Sequence, residues 1–158
     1  MREILFRGKR LQGGNWVEGY FFKSDINKEE RESGKATLIF TPDCDTFIMV
    51  PECHNSFMVV SATVGQYTGL NDKNGKRIFE GDILRIAKIS DGLGSCYHPP
   101  LDYPVNVVVK WDLCAWMWET LCEDKRYISF PNAWCHYECE IIGNIHDNPE
   151  LLEGGNDE

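Results

Sequence analysis

The segment Gln66–Ile83, QYTGLNDKNGKRIFEGDI, constrains the fold more than any other part of this 158-residue chain. It sets a cluster of turn formers, Asn71-Asp72-Lys73-Asn74-Gly75, between two stretches able to form strands. Asn74-Gly75 marks a hairpin, because both residue types tolerate the positive φ that tight strand connections require. A further run, Asp82–Ile89, follows Glu80-Gly81, and a glycine between two strand-like runs predicts a bulge or tight bend.

The same pattern recurs along the chain. Glu3–Leu11 and Trp16–Lys23 flank Gly13-Gly14-Asn15 and read as a hairpin. Ala36–Thr41 and Thr46–Val50 are separated by Pro42-Asp43-Cys44-Asp45, and Phe57–Val64 forms a third apolar run. Val105, Val107, Val109 and Trp111 alternate as a half-buried strand. Ala115–Leu121 follows with Trp116 and Trp118 on one face. Glu138–Ile145 is the last strand expected, and Asp147–Leu152 reads as a capped helical turn with Pro149 at an early position. Ser24–Lys35 is a polar loop or one short exposed helical turn, and Ser90–Pro104 is a loop of unusual length. Many short strands without long amphipathic helices predict an all-β sandwich or barrel. An aromatic content of 12% with five Trp suits its core.

The net charge of −9 is unevenly placed. Residues 138–158 hold seven acidic residues and no Lys or Arg, whereas 1–137 hold 16 basic and 18 acidic. A solvated acidic end accounts for this; a second reading is an acidic surface that imitates nucleic acid. Direct nucleic-acid binding is disfavoured, since phosphate contacts need clustered Lys and Arg and the one basic cluster, Arg7-Gly8-Lys9-Arg10, is short. No signal-peptide core and no apolar run of about 20 residues is present, so the expected location is the cytoplasm, without membrane.

Seven cysteines, an odd number, in a leaderless chain read as reduced thiols. Cys114, Cys122, Cys135, Cys139 and His136, with Cys53-His54, are candidate zinc ligands. No Cys-x₂-Cys pair exists, however, and positions four apart on a strand lie about 13 Å apart. Buried Cys as small hydrophobes is the simpler account, and no cofactor is expected.

Other chemistry fails on spacing. Gly69–Arg77 has five residues between its glycines and Arg77 after Lys76, so it is not a Walker loop. Aligning Gly75 with the invariant glycine of a calcium loop puts Leu70 where a carboxylate belongs. Glu80 and Asp82 would share a face on a regular strand, but at a turn such carboxylates commonly satisfy backbone amides. Cys96-Tyr97-His98 offers a thiol and a base with no orienting third group. Trp111, Trp116, Trp118 and Trp134 could line a peptide groove, with core packing the favoured role.

Three stretches, in order and spacing, resemble the YopX family of phage and prophage proteins. They are Arg2–Arg7 with Gly8-Lys9-Arg10 and Trp16–Tyr20; Thr63–Leu70 running on through Asp82-Ile83; and Glu140–Ile145 with Asn148–Leu152. The resemblance implies an all-β fold with SH3-like small-barrel character, to which Asp82–Ile89, Val105–Trp111 and Ala115–Leu121 would contribute. One domain is expected over 1–152, with an N-terminal β subregion 1–64, a barrel-like subregion 65–146 and an acidic tail 153–158. No coherent catalytic constellation accompanies it. The expected function is a non-catalytic macromolecular-interaction module that engages a host or phage protein. A nucleic-acid-associated role and a zinc-stabilised fold are the alternatives, and self-association through strand edges is a further expectation.

Overall fold

A computed structural model of the chain describes residues 3–24, 45–89, 105–112, 115–120, 127–129 and 137–152. The expected strand Ala36–Thr41, the segments 25–35 and 90–104, and the tail 153–158 lie outside these. The chain divides into two compact units, residues 1–67 and 68–158.

The first unit begins with β1 (Phe6–Lys9) and β2 (Trp16–Lys23). Gly13 and Gly14 join them with φ of 86° and 67°, a region that side-chain-bearing residues rarely adopt. β3 (Thr46–Val50) and β4 (Asn55–Met58) follow, then a 3₁₀ turn (Ser61–Thr63) and β5 (Gly65–Asn71), which carries the chain into the second unit. The strands lie in the order β4-β3-β2-β1-β5, and each pair is antiparallel. Ile48 and Val59 are fully buried, and a Cβ on Gly8 would come within 3.1 Å of both, so the glycine lets β1 approach them.

Phe57–Val64 is not one strand. Thr63 donates its hydroxyl to the Val60 carbonyl at 2.7 Å and accepts the Lys9 N–H at 2.9 Å, giving the backbone a turn in place of a ladder. After β4 the chain meets the end of β1. Arg10 faces Val59 in a single bridge, Leu11 N–H donates to the Met58 carbonyl, and Val60 N–H donates to the Lys9 carbonyl.

The second unit contains β6 (Arg77–Phe79), β7 (Asp82–Ile89), β8 (Val105–Asp112), β9 (Ala115–Thr120), β10 (Tyr127–Ser129) and β11 (Tyr137–Asn144). A 3₁₀ turn, Pro149–Leu152, follows at the expected helical position. Five strands lie in the order β10-β9-β8-β7-β11, so the last strand crosses back to pair with β7. Ile78, Leu84, Ile86, Val107, Val109, Trp116 and Cys139 form the core, with Leu70 and Ile141 packed against it. Burying one such aliphatic side chain contributes about 1.5–3 kcal/mol. β10 was not expected from the sequence.

The described residues are all-β in two antiparallel sheets, and neither sheet closes on itself among them. No described helix is long and apolar enough to cross a membrane.

Candidate interaction surface

Alternation along β2 sorts Trp16, Glu18, Tyr20 and Phe22 to one face of the first unit. Tyr20 lies opposite Met49, and Phe22 opposite Phe47, which extends this face onto β3. Ile48 and Gly8 lie on the other face, toward the core. Tyr20 is 48% exposed, Phe22 42% and Met49 36%, three neighbouring apolar side chains left to solvent. Tyr20 and Phe22 stand about 7 Å apart along the strand. The Phe22 ring stacks on Phe47 at 5.3 Å, and Phe47 is buried, so a fixed platform holds the exposed ring. At the other end of the face the Arg7 guanidinium sits 4.8 Å above the Trp16 ring. Arg10, on the opposite face, covers Phe57 at 4.3 Å. Two of the three cations in the expected basic cluster thus lie on the protein's own rings.

The turn at 72–76 is organised by Asp72. Its Oδ1 accepts the N–H groups of Asn74 at 2.8 Å and Lys76 at 2.9 Å, and its Oδ2 accepts that of Ile141 at 3.2 Å. Burial alone pushes this carboxyl up, but donation from Lys76, Ile141 and Asn74 outweighs it and holds the group below the ordinary aspartate value. Gly75 has the expected positive φ, 80°. Asp72 N–H donates to the Lys76 carbonyl, so the loop is longer than a two-residue Asn-Gly turn. Burial and the nearby Asp72 charge together push the Cys139 thiol up, and it remains protonated in the core.

Glu80 lies in the turn before β7 and Asp82 opens that strand, so the two do not share a regular strand. Gly81 between them has φ 80°, and Asp82, fully buried, accepts the Phe79 N–H at 2.8 Å. Among the candidate zinc ligands, Cys114, Cys122, Cys135 and His136 lie outside the described residues, as do Cys96-Tyr97-His98 and Trp134. Cys139 belongs to the core, and Cys53 is exposed in the turn after β3 beside His54, which has φ 54°. The described residues contain no group of three or more His, Cys, Asp or Glu placed to hold a metal ion. Trp116 takes the core role, but Trp111, edge-on to it at 4.9 Å, is 51% exposed. On the opposite face of the β8–β9 pair, Lys110 pairs with the buried Glu119.

A family model described as YopX protein matches residues 5–153. The chain belongs to the YopX family. A search of the curated proteins matched none of them. The crystal structure of protein EF1440 from Enterococcus faecalis is 22% identical, covering 97% of this chain and all of that one, with a TM-score of 0.45. In this YopX chain the central stretch 66–83 supplies turn-forming carboxylates, Asp72 and Asp82, each bound to backbone amides. The sequence alone did not single out Asp72 for this part, because its partner Ile141 lies 69 residues away. Nor did it single out the Tyr20–Phe22–Met49 face; the alternation Trp16-Glu18-Tyr20-Phe22 was the available signal, visible only once Phe21 and Ile48 are known to point inward.

Proposed function

We propose that this YopX protein is a phage- or prophage-encoded, cytoplasmic, non-catalytic interaction module that binds a host or phage protein through the β2–β3 face. The exposed trio Tyr20, Phe22 and Met49 carries the reading. Contiguous apolar surface is costly to leave in water, and an aromatic pair on a rigid sheet loses little entropy when it is covered. The family resemblance implies small-barrel character for 65–146; the order of elements in the first unit suits an open module of that kind as well. Four meandering strands are followed by a 3₁₀ turn and a fifth strand against β1, with the Arg10–Val59 bridge between the ends of the meander. Barrels of this size use aromatic-lined surfaces to hold extended peptides. The face offers rings and a thioether where a nucleic-acid site would offer free cations.

The test is a pull-down from host lysate with tagged wild type and with a Tyr20→Ser, Phe22→Ser double variant, each with and without nuclease. A partner retained through nuclease and lost from a variant whose circular dichroism is unchanged is the expected result. Partners that vanish with nuclease would move the assignment to the nucleic-acid-associated alternative. A partner held equally by both proteins would remove the β2–β3 face from the reading.

A further inference from the structure

Among the described residues β11 lies at the edge of its sheet, and the chain's own turn bonds to its outer side. In its ladder with β7, Cys139 faces Ile86, Glu140 faces Arg85 and Ile141 faces Leu84. Antiparallel pairing turns alternate backbone groups toward and away from the neighbour. The outward pair here, the Cys139 carbonyl and the Ile141 N–H, meets Lys73 N–H at 3.0 Å and Asp72 Oδ2 at 3.2 Å. That donor and acceptor are what one residue of a further, parallel strand, opposite Glu140, would present. Beside them Lys73 Nζ lies 2.6 Å from the Glu140 carboxylate, where a cross-strand basic side chain would sit. The turn therefore copies three features of a docked strand with one N–H, one carboxylate oxygen and one ammonium group.

We propose that the Asp72–Lys73 turn is an internal plug on a strand-accepting edge, and that the occupant which replaces it is an extended segment of a partner bearing Lys or Arg opposite Glu140. Unpaired edges invite strand addition, and proteins guard them with local devices of this kind. Charge decides against a second copy as the occupant. Self-pairing in register about Glu140 would set that carboxylate against itself, and residues 138–158 carry seven acidic groups and no Lys or Arg. The inference concerns the second unit only and does not depend on the β2–β3 face.

The experiment uses the full chain and two synthetic peptides of alternating Thr and Val, one with Lys and one with Glu at its charged positions. Binding is measured for wild type, Asp72→Ala and Lys73→Ala, with hydrogen exchange read at the amides of residues 139–141. The Lys peptide is expected to bind both variants at least about tenfold tighter than wild type. It is also expected to slow exchange of the Ile141 amide, while the Glu peptide does neither. Glu140→Lys should reverse the preference between the peptides. Lys73→Ala keeps every backbone bond of the turn, so it decides the matter if Asp72→Ala fails to fold. Equal affinity for the two peptides, no gain in Lys73→Ala, or binding without protection of Ile141 would each overturn the proposal and leave the turn a permanent edge guard.

Discussion

Asp72 shows how one side chain can join parts of a chain that are remote in sequence. Three N–H groups converge on its carboxylate, two from its own turn and one from β11. Replacing it with alanine removes three part-buried, charge-assisted hydrogen bonds and is expected to cost about 2–4 kcal/mol at neutral pH, read by urea unfolding. The pH dependence follows from the lowered carboxyl. Its contribution is complete above about pH 4, where the unfolded aspartate is already ionised, and is lost as pH falls through the lower folded value. The gap between wild type and Asp72→Ala should therefore narrow in acid; a gap that stayed constant would contradict the hydrogen-bond account. The turn itself was legible, since Asn74-Gly75 announces it. The long-range bond was not, because no local pattern encodes what lies 69 residues on.

Among the elements, β2 and β3 occupy the spans that strand periodicity predicts, Trp16–Lys23 and Thr46–Val50. They succeed as predictions because apolar and aromatic residues there are bounded by strong turn formers. Phe57–Val64 misled for the opposite reason: it is mostly apolar, yet Thr63 bonds back to the Val60 carbonyl and residues 61–63 form a 3₁₀ turn. β10, three residues long, carries too little pattern to be seen alone. The β2–β3 pairing rests on Gly19, where an added Cβ would lie 2.0 Å from the Met49 carbonyl oxygen and 3.2 Å from Ile48 Cγ2. Backbone cannot yield there without breaking the ladder. Gly19→Ala is expected to destabilise the protein by about 2–3 kcal/mol in denaturant unfolding, and an unchanged midpoint would show that β3 can shift without loss.

At the scale of the whole molecule, the all-β class and the family were both legible, the first from turn spacing and the second from three separated motifs. The order of strands was not, because β11 pairs with β7 rather than with its neighbour β10. Cysteine content is also a whole-chain property. With Cys139 in the core and protonated, a zinc set drawn from Cys114, Cys122, Cys135 and His136 would have to form without it. Elemental analysis of protein purified without chelator is expected to give no stoichiometric zinc; about one equivalent per chain would restore the zinc-stabilised alternative.

The crossing of β11 to β7 also sets a timetable for synthesis. β7, with the fully buried Ile83 and Leu84, ends at Ile89, well before Tyr137 opens the strand that will flank it. Until Tyr137–Asn144 emerge, that side of β7 is bare backbone beside apolar side chains, the kind of surface chaperones recognise. A nascent chain stalled before residue 137 would therefore be the adhesive form of this protein, and the emergence of Tyr137–Asn144 is itself the step that seals it.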